Sequence, residues 1–146
     1  MPRVDFYVLS GNAPDVKLRI ACRLAQKIYT LGKSAYLYAE SADQAQRLDN
    51  LMWTFDQSSF IPHCIRGLSE SEELQAPITI GHESPSESAS DEVLISLLDR
   101  VPENVDRFDR IVELVTNEPS DRVTARKRYS YYRDNGFELE THELSV

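Results

Sequence analysis

Two apolar runs near the middle of the second half, Val93 to Leu98 (VLISLL) and Arg110 to Val115 (RIVELV), most constrain the architecture. A strand with one solvated face alternates apolar and polar residues. A near-continuous apolar run has no face to offer water, so it must be covered on both sides. Such strands sit at the centre of a sheet that carries helices on both faces. Val4 to Leu9 (VDFYVL), broken only by Asp5, and Ala35 to Ala39 (AYLYA) have the same character.

Between the runs the period changes. After Gly11, Asn12 and Pro14, the residues Val16, Ile20, Leu24, Ile28 and Leu31 recur at helical spacing, and Gly32 stands where a left-handed cap is needed. Ser41 with Gln44 three residues on is a capping-box signature, opening a helix through Ala45, Leu48 and Met52. Phe60 to Ile65, broken by Pro62, suits a short or edge strand, and Ile78 to Gly81 suits another short strand. Ser120 is placed to cap a last helix running to about Asn135, stopped by Gly136. The tail Phe137 to Leu144 would then fold back on the body. The acidic, serine-rich segments SESEE and HESPSESASDE read as loops. Strand and helix alternation predicts a single-domain α/β chain over residues 1–146: a mostly parallel sheet flanked by helices, Rossmann-like but without a nucleotide-binding motif.

The 146 residues, 41% hydrophobic, suffice for one such core. No apolar stretch is long enough to span a bilayer, and there is no basic and apolar leader, so a soluble, unexported, cytoplasmic protein without membrane contact is expected. Cys22 and Cys64 show no CxxC spacing and read as free, reduced, partly buried thiols; no metal or other cofactor is expected. A net charge of -8 disfavours a protein that holds DNA by neutralising phosphates. The charge is uneven, however. Ser69 to Glu92 carries only acids, whereas Arg122, Arg126, Lys127, Arg128 and Arg133 crowd one later segment.

Catalytic patterns are weak. Leu9-Ser10-Gly11-Asn12 lies where α/β folds often bind phosphate, but neither GxGxxG nor GxxxxGK[ST] is present. His63, His82 and His142 are far apart and form no HExxH pair. His63 and Cys64 are adjacent, so on a strand they would point to opposite faces. Ser10 is not in a GxSxG elbow. The clustered acids have no reason to acquire the split proton affinities of a catalytic pair.

Within the last helix, Arg122, Arg126, Tyr129 and Arg133 are spaced 4, 3 and 4 residues apart and project from one stripe. Ala125, Tyr129 and Tyr132 form a neighbouring stripe suited to packing on the sheet, which puts Tyr129 at the boundary of core and surface. An aromatic wall beside guanidinium groups suits a peptide ending in a bulky apolar side chain and a free carboxylate. A basic solvated face with core tyrosines is the plainer alternative.

Several segments carry a family resemblance: FYVL (Phe6 to Leu9), Gly32-Lys33, QAQRLDNLMW (Gln44 to Trp53), SFIPH (Ser59 to His63), DEVLISL (Asp91 to Leu97) and ARKRYSYYRDNGF (Ala125 to Phe137). In order and spacing they resemble the chi subunit of bacterial DNA polymerase III holoenzyme. The resemblance implies a non-catalytic replication adaptor. It would pair with the psi subunit as a heterodimer, and so with the clamp loader. Separately it would bind the acidic, phenylalanine-terminated C-terminal tail of single-stranded DNA-binding protein, without direct nucleic-acid contact. By position, Arg126 and Tyr129 would form the tail pocket, with Trp53 near it and Arg122 or Arg128 adding charge. Phe60 and Val115 match apolar psi-binding positions. The chain departs from the family pattern in the acidic loop around Ser84 to Ser90 and at Ser130, where the family often has a basic residue. The alternative function is a small nucleotide-binding or hydrolytic α/β enzyme using the loop after the first strand.

Overall fold

The computed structural model describes residues 3–10, 15–54, 63–65, 77–83, 92–103 and 105–144, with 63–65 described by their backbone alone. The elements run β1 (Arg3–Leu9), α1 (Val16–Thr30), β2 (Ala35–Tyr38), α2 (Ala42–Thr54), β3 (His63–Ile65), β4 (Ile78–Gly81), β5 (Val93–Ser96), a single 3-10 turn (Val105–Arg107), β6 (Arg110–Val115), α3 (Pro119–Asp134) and β7 (Glu138–Leu144). The strands form one sheet in the order β3-β4-β2-β5-β6-β1-β7. Every adjacent pairing is parallel.

Strand alternation sorts the apolar residues onto two faces. Leu37, Ile95, Val112 and Leu114 join α1 and α2 in one cluster, where Ala21, Ala25, Leu48 and Met52 are buried. Tyr36, Leu94, Ile111 and Phe6 point the other way and meet Phe108, Ala125 and Tyr132. Both faces of β2, β5 and β6 are therefore dry, as their unbroken apolar runs require.

The helix boundaries follow local chemistry. Gly32, with φ +76°, and Gly136, with φ +82°, end α1 and α3 in the left-handed conformation that a side chain would strain. The Gln44 amide donates to the Ser41 hydroxyl (3.1 Å), but the Gln44 side chain accepts from Glu40 (2.7 Å), one residue before the amide that a reciprocal box would engage. Leu31 lies just past α1 and is exposed, because the helical stripe leaves the core before it.

Ser120 does not cap α3. Glu118 is the extended residue before the helix, and Pro119 opens it, a position where its missing N–H costs nothing. The entry is instead fixed by Asp121, whose carboxylate accepts from the Thr116 amide (2.7 Å) and hydroxyl (2.9 Å) and pairs with Lys17 of α1 (2.9 Å). The tail forms a full edge strand, β7, paired with β1 along its length. Its outer residues Glu138, Glu140 and Glu143 put charge on the sheet edge, which discourages further strand pairing. Gly11, Asn12, Pro14, Phe60 and Pro62, and the acidic loops apart from residues 77–83 and Glu92, lie outside the described residues.

Candidate peptide-binding pocket

Parallel register builds a small hollow beneath α3. On β1, Val8 pairs with Val115 of β6 and Phe6 with Thr141 of β7, so four side chains from three strands form a floor. Ala125 and Tyr129 of α3 form the wall, and Arg122 and Arg126 border the opening. The cavity volume is about 190 Å³. An apolar cavity of roughly 150 Å³ already accommodates a benzene ring, so one aromatic side chain fits here.

Tyr129 is 38% exposed, with its ring 5.5 Å from that of Phe6, which places it at the core boundary as its spacing predicts. Arg126 has no ion pair or hydrogen bond among the described residues, and Arg122 donates only to the Asn117 side chain (3.2 Å). Arg133, on the same stripe, pairs with Asp134 and does not line the cavity. Arg122 and Val8 also border a second, more polar hollow with Ser10, Asn117 and Glu143. The arrangement is an apolar slot with a free guanidinium at its mouth, chemistry suited to an apolar side chain next to an anion.

The structure redistributes the residues expected from sequence. Arg122, Arg126 and Tyr129 come together. Arg128 does not join them: it is 2% exposed and its Nε lies 3.2 Å from Oε1 of fully buried Glu113, so it adds no charge to the surface. Its helical angle points at the sheet, where the i+4 residue Tyr132 is also buried. Trp53 is 54% exposed at the end of α2, which packs on the opposite face beside β3 and β4, so it does not stand near the pocket. Val115, matched to a different interface, lines this cavity with Arg126 and Tyr129. Phe60 lies outside the described residues. Phe6, Val8 and Thr141 line the cavity in addition to the residues expected from sequence. Strand alternation puts Phe6 and Val8 on one face, but Thr141 becomes findable only once β7 is known to pair with β1.

Beneath the pocket the Tyr132 hydroxyl donates to Glu113 Oε2 (2.7 Å), and Arg128 Nη1 donates to the Thr124 hydroxyl (3.1 Å). Burial pushes the Glu113 carboxyl up to about 7, although Arg128 and Tyr132 pull it back. Burial and the neighbouring Glu113 keep the Tyr132 phenol protonated.

On the other face of β1, Asp5, Glu140 and His142 bring three potential metal ligands within 4.8 Å of one another. The Asp5 carboxylate is already engaged, by Arg110, by Arg3 (3.2 Å) and by His142 Nε2 (3.0 Å). Burial raises its pKa, but the bonds from Arg110 and His142 and the two arginine charges outweigh burial and hold it below the usual value. With two guanidiniums on one carboxylate, this network balances its own charge and offers a cation little. The Cys22 thiol is buried and pushed up to about 12, which makes it inert as a nucleophile.

A family profile described as "DNA polymerase III chi subunit, HolC" matches residues 1–140. The DNA polymerase III subunit chi of Pseudomonas aeruginosa is 41% identical over 99% of this chain and 98% of its own length. The subunits chi of Haemophilus influenzae (30% identical, 96% of each chain) and Escherichia coli K12 (31% identical, 97% of each chain) also match. Among solved structures, T4 UvsW superimposes with a TM-score of 0.70 over 98% of this chain and 41% of its own, at 10% identity, a likeness of fold alone.

Proposed function

The chain belongs to the DNA polymerase III chi subunit family, and from that premise we propose that it is a non-catalytic adaptor whose α3 pocket captures an acidic peptide ending in an apolar residue. The C-terminal tail of single-stranded DNA-binding protein is the ligand of this kind that the family resemblance implies. The observation that carries the proposal is Arg126, without an ion pair or hydrogen bond among the described residues, at the mouth of a slot sized for one aromatic ring. The terminal side chain enters between Phe6, Val115 and Tyr129, and its carboxylate pairs with Arg126, while Arg122 meets upstream acidic residues. The net charge of -8 repels a nucleic-acid backbone, so this cationic stripe serves a protein ligand rather than DNA.

Attachment to psi, and through it to the clamp loader, is the second half of the proposal. Because Val115 belongs to the pocket, exposed Trp53 is the better candidate among the described residues for a surface that meets psi, while Phe60 keeps its psi role only as what the resemblance implies. Titrating the full chain into a labelled acidic peptide ending in phenylalanine tests the first half, with Arg126→Glu expected to abolish binding. Co-purification of wild type and Trp53→Ala with psi tests the second, with loss of the complex expected for the variant. Undiminished binding by either variant overturns the corresponding half.

A further inference from the structure

We propose that Glu113, Arg128 and Tyr132 form a buried positioning unit that sets the rotation and register of α3, and thereby the shape of the pocket; this rests on the peptide-binding reading above. The helix that carries the pocket is weakly anchored by apolar packing. Of its sixteen residues only Ala125, Arg128 and Tyr132 are buried, whereas fifteen-residue α1 buries seven, all apolar. Apolar burial is non-directional, so a helix held by one alanine and a phenol ring could settle at several rotations. Polar contacts with fixed partners, one a directional hydrogen bond and one a charge pair, decide among them. Glu113, in the middle of β6, holds two α3 residues one turn apart: Tyr132 by a 2.7 Å hydrogen bond and Arg128 by a 3.2 Å ion pair.

That anchor reaches the pocket through Phe6. Its ring lies edge-on to Tyr132 (centroids 6.1 Å) and 5.5 Å from Tyr129 on the other side, so the buried tyrosine and the pocket tyrosine share one neighbour in the cavity floor. With side chains a helix has a radius of roughly 5–6 Å, so a rotation of about 20° displaces their tips by about 2 Å. Arg122, Ala125, Arg126 and Tyr129 would move by that amount relative to Phe6 and Val8, more than a binding constellation tolerates. Arg128 and Tyr132 act through Tyr129 and Arg126 and touch no ligand themselves.

The test uses the full chain with Tyr132→Phe, and with Glu113→Leu and Arg128→Met combined so that no lone charge is left buried. The first readout needs no ligand: cross-relaxation between the Phe6 and Tyr129 rings by NMR. The second is affinity for a labelled acidic peptide ending in phenylalanine, measured where each variant is folded by circular dichroism. Weaker ring contacts are expected in both variants, with peptide affinity reduced about threefold by Tyr132→Phe, which removes one link to β6, and about tenfold by the double change, which removes both. Unchanged ring contacts with affinity within about twofold of wild type overturn the proposal. If the double variant does not fold, Tyr132→Phe decides by the same criteria. If wild type ignores the peptide, or Arg126→Glu binds like wild type, the peptide reading falls and the ring contacts alone decide the positioning role.

Discussion

The Tyr132 hydroxyl donates to the Glu113 carboxylate across 2.7 Å, tying α3 to the middle of β6 inside a core that excludes water from both residues. Arg128 shares that carboxylate, yet its Nε and Nη2 and Glu113 Oε1 make no hydrogen bond among the described residues, so the pair is held by charge more than by aligned bonds. Removing one member of a buried pair leaves an uncompensated charge, which typically costs about 3–5 kcal/mol. Arg128→Met should therefore be strongly destabilising at pH 8 by urea unfolding. At pH 5, where Glu113 can take up a proton, the loss should be smaller. Combining it with Glu113→Leu should recover much of the stability, and equal losses for the single and double changes would contradict this account.

Glu113 also sets a pH dependence. Its folded-state pKa is raised by burial to about 7, above the ordinary 4.5, so the folded chain keeps a proton that the unfolded chain releases. That contribution is complete below about pH 4.5 and lost as pH rises through 7, at up to about 1.4 kcal/mol per unit. Asp5 and Asp121 work in the opposite sense. Burial raises both, but the Arg110 and His142 bonds at Asp5, and the Thr116 and Lys17 bonds at Asp121, hold them below 3.8. Their contribution is present above that value and lost as pH falls through the depressed pKa. Unfolding temperature should peak in mildly acidic solution, and Glu113→Gln should flatten the decline between pH 5 and 7. An unchanged decline in that variant would assign it to another group.

The central strands were legible because burial on both faces leaves an unbroken apolar run: VLISLL and RIVELV contain β5 and β6. The stripe of Arg122, Arg126 and Tyr129 was legible because helical spacing fixes direction. The resemblance offers Arg128 as added charge, but helical angle decides its place: it lies three and four residues from Ala125 and Tyr132, the buried side of the same helix. Thr141 could not be found, since nothing in a polar tail such as ELETHEL announces that it pairs with β1. Trp53 was placed by resemblance, and which face of the sheet α2 covers is a property of the crossover rather than of its own residues.

The cavity wall gives a third prediction. Ala125 is 7% exposed and lines the hollow, and leucine is nearly as good a helix former, so Ala125→Leu should occupy the slot with little change in helix stability. Peptide affinity should fall at least about tenfold, the loss of one well-buried side-chain contact, measured where circular dichroism shows the variant folded, since added bulk at a buried position costs about 1–3 kcal/mol where the hollow does not absorb it. Full-strength peptide binding by this variant would place the ligand elsewhere on α3.

Arg126 separates a specific carboxylate contact from general attraction. A charge-assisted hydrogen bond contributes about 1.5–3 kcal/mol, roughly a tenfold to hundredfold change in affinity. Arg126→Lys keeps the charge but loses the planar fork that matches a carboxylate, so it should weaken binding several-fold, less than Arg126→Glu does. Arg122, already donating to Asn117, should matter less when changed to alanine. Because the stripe is exposed, raising salt should weaken binding of the whole peptide, while a peptide amidated at its C-terminus should bind wild type and Arg126→Lys with similar, low affinity. If amidation leaves wild-type affinity intact, Arg126 meets an upstream acid rather than the terminal carboxylate.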